Sequence, residues 1–191
     1  DVLQYASKGL RGDREVVLAA IEQDTRAFRH AAEGMRSDHT VVIEVLRSCR
    51  RKISDSHWVW QCAPPGLAKD RAFIMQAVQA DGMLLQCADA ELRADREVVL
   101  AAVAKDGEAL REASVALKDD RDVVLTAVAS HGDAIRHASA AMRADAEVVI
   151  AAVSNSGFAL VHAADPLLAD REVVLAAVRR HGDILRLPPI Q

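Results

Sequence analysis

The chain has 191 residues, and 51% of them are hydrophobic, which is enough for a buried core in one or two ordinary domains. Only 3% are aromatic, so we expect the core to be aliphatic and rich in alanine. The net charge of -4 at pH 7 gives no overall attraction to nucleic acid or to anionic membranes. No run of roughly 18 apolar residues occurs, so no membrane-spanning helix is expected.

An internal repeat organises the whole sequence. Most copies begin 25 residues apart with an aspartate, and an apolar pair, usually Val-Val, follows three and four residues later. The copy from residue 38 is 32 residues long and therefore carries a seven-residue insertion within residues 38–69. Because chance does not maintain such a register, the sequence predicts a repeat architecture. The anchoring aspartates are Asp13, Asp38, Asp70, Asp95, Asp120, Asp145 and Asp170.

Each copy is predicted to form two short helices. In the copy from Asp95, this aspartate is the expected N-cap of the first helix. Gly107 is expected to end that helix in a left-handed conformation. The second helix should carry a narrower apolar stripe formed by Leu110, Ala113 and Leu117. Helices of about 8 to 12 residues are too short to be stable alone, so stacking of neighbouring repeats has to stabilise them.

The predicted fold is therefore all-α, an α-solenoid of about seven two-helix repeats with a 25-residue period. Residues 1–191 are expected to form a single array. Residues 1–12 match only a second helix, so the first half of that repeat is expected upstream, or a partner covers the gap. In the last repeat, Pro188 and Pro189 are expected to replace the second helix by an extended tail.

The irregular copy contains the candidate partner-binding site. Its first helix has no glycine stop, and the insertion could extend it by about two turns. Basic residues cluster there, and Trp58 stands at a repeat position that is otherwise polar or marginal. Arginine and tryptophan are typical anchors of protein interfaces, whereas the alternative is a solvated charge run with the tryptophan folded back. The candidate contact residues are Arg47, Arg50, Arg51, Lys52 and Trp58.

No catalytic, metal or cofactor site is predicted. The histidines recur at equivalent repeat positions, and equivalent residues of stacked helices lie about 8–10 Å apart. That spacing is too wide for two ligands of one metal ion. The Asp-Arg pairs recur at most helix starts, which indicates caps and surface charges rather than a unique active site. The glycines match no phosphate-binding motif, so we expect neither a cofactor nor enzymatic activity.

The cysteines and the charge distribution indicate few other roles. Cys49, Cys62 and Cys87 form no CxxC pair and no even set, which favours a reducing compartment, either the cytoplasm or an organelle interior. Residues 70–191 carry 13 basic and 19 acidic side chains, so the regular repeats lack the basic face of RNA-binding helical repeats. Nucleic-acid binding is therefore the less favoured alternative and depends on the cluster from Arg47 to Lys52.

The repeat resembles a known family. The pattern D-R-E-V-V-L-x-A-V-x-x-x-G-x-x-L-x-x-A-S is clearest in residues 95–117 and 120–142. It is similar to the helical repeats catalogued as domain of unknown function 4116, which occur in arrays in protist and some bacterial proteins. The resemblance implies a helical array and carries over no catalytic residue. The insertion and the incomplete ends depart from the pattern.

These observations favour a non-catalytic scaffold or accessory subunit that docks on a larger assembly through protein–protein contacts. A peripheral subunit of an organellar membrane complex fits this class. The alternative is a soluble adaptor or effector module that binds peptides transiently.

Overall fold

The structure of the protein is a computed structural model that describes residues 2–49, 59, 62–64 and 66–180. Over these ranges the secondary structure is entirely helical, with no β-strand, which confirms the predicted all-α class. The chain divides into two units, Asp1–Phe73 and Ile74–Gln191. The continuity of a single array from 1 to 191 stays a prediction.

The first unit begins with two short 3₁₀ helices, Val2–Tyr5 and Leu10–Gly12. Helix α1 (Arg14–Gln23) follows and packs against a 3₁₀ helix, Thr25–His30, and against α3 (His39–Cys49). Helix α2 (Glu33–Ser37) connects these elements, and a 3₁₀ helix at Leu67–Lys69 comes later in the unit. The predicted two-turn extension beyond Cys49 lies outside the described residues.

The second unit repeats one three-element module. A ten-residue α-helix is followed by a six-residue 3₁₀ helix and then by a short helical or irregular turn. The long helices are α4 (Arg71–Ala80, which crosses the boundary between the units), α5 (Arg96–Lys105), α6 (Arg121–Ser130), α8 (Ala146–Asn155) and α10 (Arg171–Arg180). The 3₁₀ helices are Gly82–Cys87, Gly107–Glu112, Gly132–His137 and Gly157–His162. The turns include Leu92–Ala94, α7 (Ala140–Arg143) and α9 (Asp165–Leu168).

The anchoring aspartates cap the long helices as predicted. Asp95 shows the pattern, because its Oδ1 accepts hydrogen bonds from the backbone N–H groups of Glu97 at 2.9 Å and Val98 at 3.2 Å. Such a cap satisfies donors that have no partner inside the helix and is worth about 1 kcal/mol. Equivalent bonds are made by Asp13, Asp38, Asp70, Asp120, Asp145 and Asp170.

The core of the second unit is aliphatic and is built from the predicted helix faces. The apolar side chains that follow each cap at positions three, four, seven and eight are fully buried in α5, α6 and α8. Alanine at one of the four positions allows neighbouring helices to approach closely. In α5 these residues are Val98, Val99, Ala102 and Val103. The predicted stripe of Leu110, Ala113 and Leu117 is also buried.

The second predicted helix of the repeat is not an α-helix of 8 to 12 residues. It ends after six residues as a 3₁₀ helix, because Ala113 adopts an extended conformation with φ -64° and ψ 154°. That break allows the N–H of Ser114 to donate a hydrogen bond to the carbonyl of Arg93 in the preceding repeat, at 2.9 Å. The same bond joins Ser139 to Lys118 and Ala164 to Arg143. The helix therefore ends early within the repeat, and a backbone hydrogen bond to the preceding repeat forms instead.

The glycine that follows each long helix has a different role from the one predicted. Gly107 is not left-handed, since Gly66 is the one residue with positive φ in the described ranges. A Cβ at Gly107 would overlap the carbonyl oxygen of Ala127 and would lie 3.0 Å from the backbone nitrogen of His131. Gly82 and Gly132 meet the next repeat in the same way. Glycine stands here because two backbones pass too closely for any side chain.

Polar side chains complete this contact between backbones. The buried N–H of Gly107 donates to Nδ1 of His131 at 3.1 Å, and that of Gly132 donates to Oδ1 of Asn155 at 3.0 Å. Asn155 also donates through Nδ2 to the carbonyl of Ala129 at 2.8 Å. The side chain at the end of one long helix therefore pairs with backbone groups of the preceding repeat, including the N–H groups of the buried glycines.

Replacing Gly107 with alanine should destabilise the second unit by about 1–3 kcal/mol, because the new methyl group forces the two backbones apart. The urea midpoint of the helical circular dichroism signal measures the effect. Gly34→Ala is the control, since a Cβ at Gly34 meets no atom within 4 Å and Gly34 lies in helix α2. That change should be neutral or stabilising by up to about 1 kcal/mol. Equal midpoints for the two variants would contradict the close approach.

Replacing Asn155 with alanine should cost about 1–3 kcal/mol, because the buried N–H of Gly132 loses its acceptor. Chemical denaturation of Asn155→Ala, compared with Ser154→Ala at the exposed neighbouring position, isolates this effect. An Asn155→Ala curve that superimposes on the Ser154→Ala curve would show that the amide contributes nothing to the contact between repeats.

Candidate interaction surface

The structure describes one residue of the predicted partner-binding site. Arg47 lies on the exposed side of α3, near its C-terminal end, and Nη1 is 3.1 Å from Oε1 of Glu44. Both side chains are nearly half exposed, so this pair is a solvated ion pair within one helix turn. Arg50, Arg51, Lys52 and Trp58 lie outside the described residues, and the proposed cluster with Arg47 stays a prediction.

The long helices of the second unit partly expose a row of apolar side chains that the sequence analysis did not predict. Five residues after the anchoring aspartate, each of the helices α5, α6, α8 and α10 has a leucine or isoleucine, and each of these side chains is only partly buried. Small residues, mostly alanine, adjoin them at the next exposed positions. The result is a partly open apolar surface that crosses neighbouring helices. We name it the apolar row, and its members are Leu100, Leu125, Ile150 and Leu175.

An arginine ladder borders the apolar row at the N-terminal ends of the helices. Arg96 binds Asp120 through Nε at 2.9 Å and Asp122 through Nη2 at 2.6 Å, both in the next repeat. Arg121 makes the equivalent contacts with Asp145 and Glu147. The ladder therefore links one helix cap to the next.

These bonds shift the acid–base equilibria of the groups that they join. The hydrogen bond from Arg96 lowers the pKa of Asp120, and the bonds to Asp120 raise the pKa of Arg96. The pKa of Asp145 is lowered, first by the backbone N–H of Val148 and then by Arg121. The pKa shifts of Arg96, Asp120 and Asp145 therefore all favour the charged form in the folded state.

The ladder stops before the last described helix. Ala146 occupies the place of the ladder arginine in α8, so no side chain there reaches Asp170 or Glu172. At this point an open groove of about 620 Å³ lies between α8 and α10. We name it the α8–α10 groove. Its lining consists of Ile150, Ser154, Arg171, Glu172, Leu175, Ala176, Arg179 and Arg180.

A second polar surface runs over the 3₁₀ helices. Glu108 forms an ion pair with Arg136 and lies 3.4 Å from Nε2 of His137, both in the next repeat. Burial lowers the pKa of His137, and the neighbouring carboxylate of Glu108 opposes that shift. Burial likewise lowers the pKa of His162, one repeat later. Each of these two histidines is therefore influenced by a carboxylate of the preceding repeat, Glu108 for His137 and Asp133 for His162.

The possible ligand groups do not assemble into a metal site within the part of the chain that the structure describes, where no cluster of three or more His, Cys, Asp or Glu side chains is suitably placed. Cys87 is buried and Cys62 is partly buried. Across the described ranges, no helix combines the length and the hydropathy needed to cross a bilayer.

A family model described as domain of unknown function (DUF4116) matches residues 1–36, 95–143 and 145–189, which is more than half of the chain. The chain belongs to the DUF4116 family. No curated protein matches it, and no solved structure matches it. The DUF4116 match omits residues 37–94, which contain the predicted insertion and the repeat from Asp70. The resemblance drawn from the repeat pattern is therefore confirmed, and the insertion falls outside it.

Sequence reasoning missed the apolar row and the α8–α10 groove. Leu100 is only partly buried in the structure, although its hydrophobicity alone would favour the core. The signal was present in the sequence, since a leucine, isoleucine or methionine recurs five residues after every anchoring aspartate. The basic C-terminal end of α10, with Arg179 and Arg180, was not recognised because residues 70–191 as a whole carry more acidic than basic side chains.

Replacing Asp145 with asparagine should flatten the acid side of the stability profile. Because the folded state lowers the pKa of Asp145, its charge contributes stability above about pH 4 that is lost as the pH falls through the lowered value. Asparagine is also a good N-cap, so the variant removes the charge and keeps an acceptor. Urea midpoints from about pH 7 down to about pH 2 measure the difference.

The control is Glu91→Gln, which removes an exposed carboxylate that makes no cap hydrogen bond. Its profile should keep the acid slope of the unmodified chain. An Asp145→Asn profile that runs parallel to it at every pH would show that the charge of Asp145 is energetically silent.

Proposed function

We propose that the chain is a non-catalytic subunit or scaffold that docks on a larger assembly through its exposed repeat surface. The observation that carries this proposal is the apolar row. Helices α5, α6 and α8 each bury a complete aliphatic face, and every helix from α5 to α10 that is capped by an anchoring aspartate still has a partly exposed leucine or isoleucine at the same position, from Leu100 to Leu175. A repeated, partly exposed apolar surface bordered by fixed charges is typical of a protein-binding face.

Repetition also supports a role without catalysis. The polar groups that stand closest together, such as Glu108 with Arg136 and His137, occupy positions that recur from repeat to repeat with changing residue types. An active site needs one specific set of catalytic side chains at one place. A repeat surface instead presents the same kind of contact in each repeat, with different residue types. Peripheral subunits of membrane complexes belong to the class proposed, since they need no spanning helix of their own.

The runner-up function is an adaptor that binds peptides transiently. The α8–α10 groove favours it, because an open groove of about 620 Å³ suits a short segment better than a flat protein face. The two functions differ in the lifetime of the complex. A structural subunit stays bound through high salt, whereas a weak and largely electrostatic contact dissociates.

The test is co-purification of the tagged full-length chain from the cells that produce it naturally. We expect a defined set of partner proteins to remain bound through a wash at roughly 0.5 M NaCl. Loss of all partners in that wash would favour the adaptor instead. A chain that elutes alone at low and at high salt would contradict both functions.

The Trp/Arg cluster is tested in the same experiment. Trp58→Ala, or Arg50→Glu together with Arg51→Glu, should release the partners if this cluster is the anchor, because it would remove an aromatic contact or reverse two charges. Arg26→Glu is the matched control, since its side chain is 69% exposed and lies in the same unit outside the cluster. Retention of the partners by every variant would remove the cluster from the docking surface.

A further inference from the structure

The α8–α10 groove differs chemically from the grooves between earlier helices. Its floor is formed by Ile150 and Leu175, two members of the apolar row, and the small side chains of Ser154 and Ala176 leave it open. Nine residues after the anchoring aspartate, α5, α6 and α8 have Ala104, Ala129 and Ser154. Helix α10 has Arg179 at that position, so among the described long helices of the second unit only α10 has a cation there.

The charges on the rim of the groove are mostly positive. Three arginines line it, namely Arg171, Arg179 and Arg180, against the single carboxylate of Glu172. This balance is opposite in sign to the net charge of -4 for the chain. The Nε of Arg180 donates a hydrogen bond to the carbonyl of Asn155 at 3.0 Å, which orients its guanidinium group. A guanidinium held in this way still has N–H groups on its terminal nitrogens that point to other acceptors.

The spacing along α10 defines the shape of a complementary ligand. Arg171, Leu175 and Arg179 are four residues apart and therefore share one face of the helix. The two arginines are separated by about 12 Å along the helix axis, with the leucine midway between them. In an extended peptide, residues four positions apart are separated by about 13 Å. Two acidic side chains at that spacing, with an apolar side chain between them, would meet both arginines and the apolar floor.

We propose that the α8–α10 groove binds an extended acidic peptide segment that carries an apolar side chain between two carboxylates. The apolar side chain packs on Ile150 and Leu175, and the carboxylates bind Arg171 and Arg179. Bidentate pairing of arginine with carboxylate gives the contact its direction and its preference for acidic segments. The inference rests on the proposed docking function and adds the chemistry of the partner.

The test uses the full-length chain and two labelled synthetic peptides. One peptide has Glu, Leu and Glu at alternate positions in a Gly/Ser background, and the other has Lys in place of each Glu. Fluorescence anisotropy at low salt should show saturable binding of the acidic peptide and none of the basic one. Binding should weaken at roughly 0.3 M NaCl, because partly exposed ion pairs are screened.

Two matched pairs of variants assign the binding to the groove. Arg179→Glu should lower the affinity for the acidic peptide by at least about tenfold, which corresponds to ~1.4 kcal/mol of binding free energy. Lys105→Glu removes a cation from the last turn of α5 and should leave the affinity unchanged. Leu175→Ser should weaken binding, whereas Val115→Ser, at an exposed apolar position outside the apolar row, should not. Circular dichroism of each variant verifies that the helices are intact.

Three results would overturn the proposal. The first is no binding of the acidic peptide by the unmodified chain. The second is equal affinity in Arg179→Glu and Lys105→Glu. The third is concentration-dependent self-association, seen by sedimentation and abolished by Arg179→Glu, which would assign the groove to a second copy of the chain.

Failure of this inference is distinguishable from failure of the docking function. If native partners co-purify with Arg179→Glu as well as with the unmodified chain, and no peptide binds, then docking stands and the groove is not its site. If the acidic peptide binds to the groove but no native partner co-purifies, then the peptide chemistry stands and the subunit role fails.

Discussion

The close passage of one repeat's backbone over the next is the contact on which the second unit depends. Helices of ten residues are only marginally stable alone in water, so their neighbours have to supply the difference. At Gly107 the approach leaves no room for a Cβ, and the N–H that it buries is accepted by His131. Buried backbone groups have to be paired, and therefore the contact fixes both the distance and the register between repeats.

This constraint also explains why the repeat has three elements instead of two. A continuous second helix would keep its N–H groups for internal bonds. Breaking it at Ala113 turns the N–H of Ser114 toward the carbonyl of Arg93, which supplies a second backbone bond between repeats. The six-residue 3₁₀ segment is too short to satisfy its own backbone, and the neighbouring repeats complete it. Secondary structure in this unit is thus partly a property of the stack.

The sequence correctly predicted features that depend on one helix alone. It failed for features that depend on contacts with the neighbouring repeat. The cap at Asp95 depends on spacing within one helix, and this prediction was confirmed. Gly107 was predicted to be left-handed because that is the usual reason for a glycine after a helix, whereas here the reason is the carbonyl of Ala127 in another repeat. For the same reason the groove beside Leu175 could not be recognised, since hydrophobicity does not say whether a side chain meets a neighbour or solvent.

The repeat separates the residues that build the stack from those that are available for binding. The side chains three, four, seven and eight positions after the aspartate pack in the core. They vary little from copy to copy, because a change of volume there disturbs the packing of both neighbouring helices. The side chain nine positions after the aspartate is exposed, so it can change from Ala129 to Ser154 to Arg179 without a change of volume in the core. Specificity in this architecture is therefore expected at the exposed positions that differ between copies, and the arginine-rich face of α10 is the place in the second unit where that difference concentrates charge next to an open apolar floor.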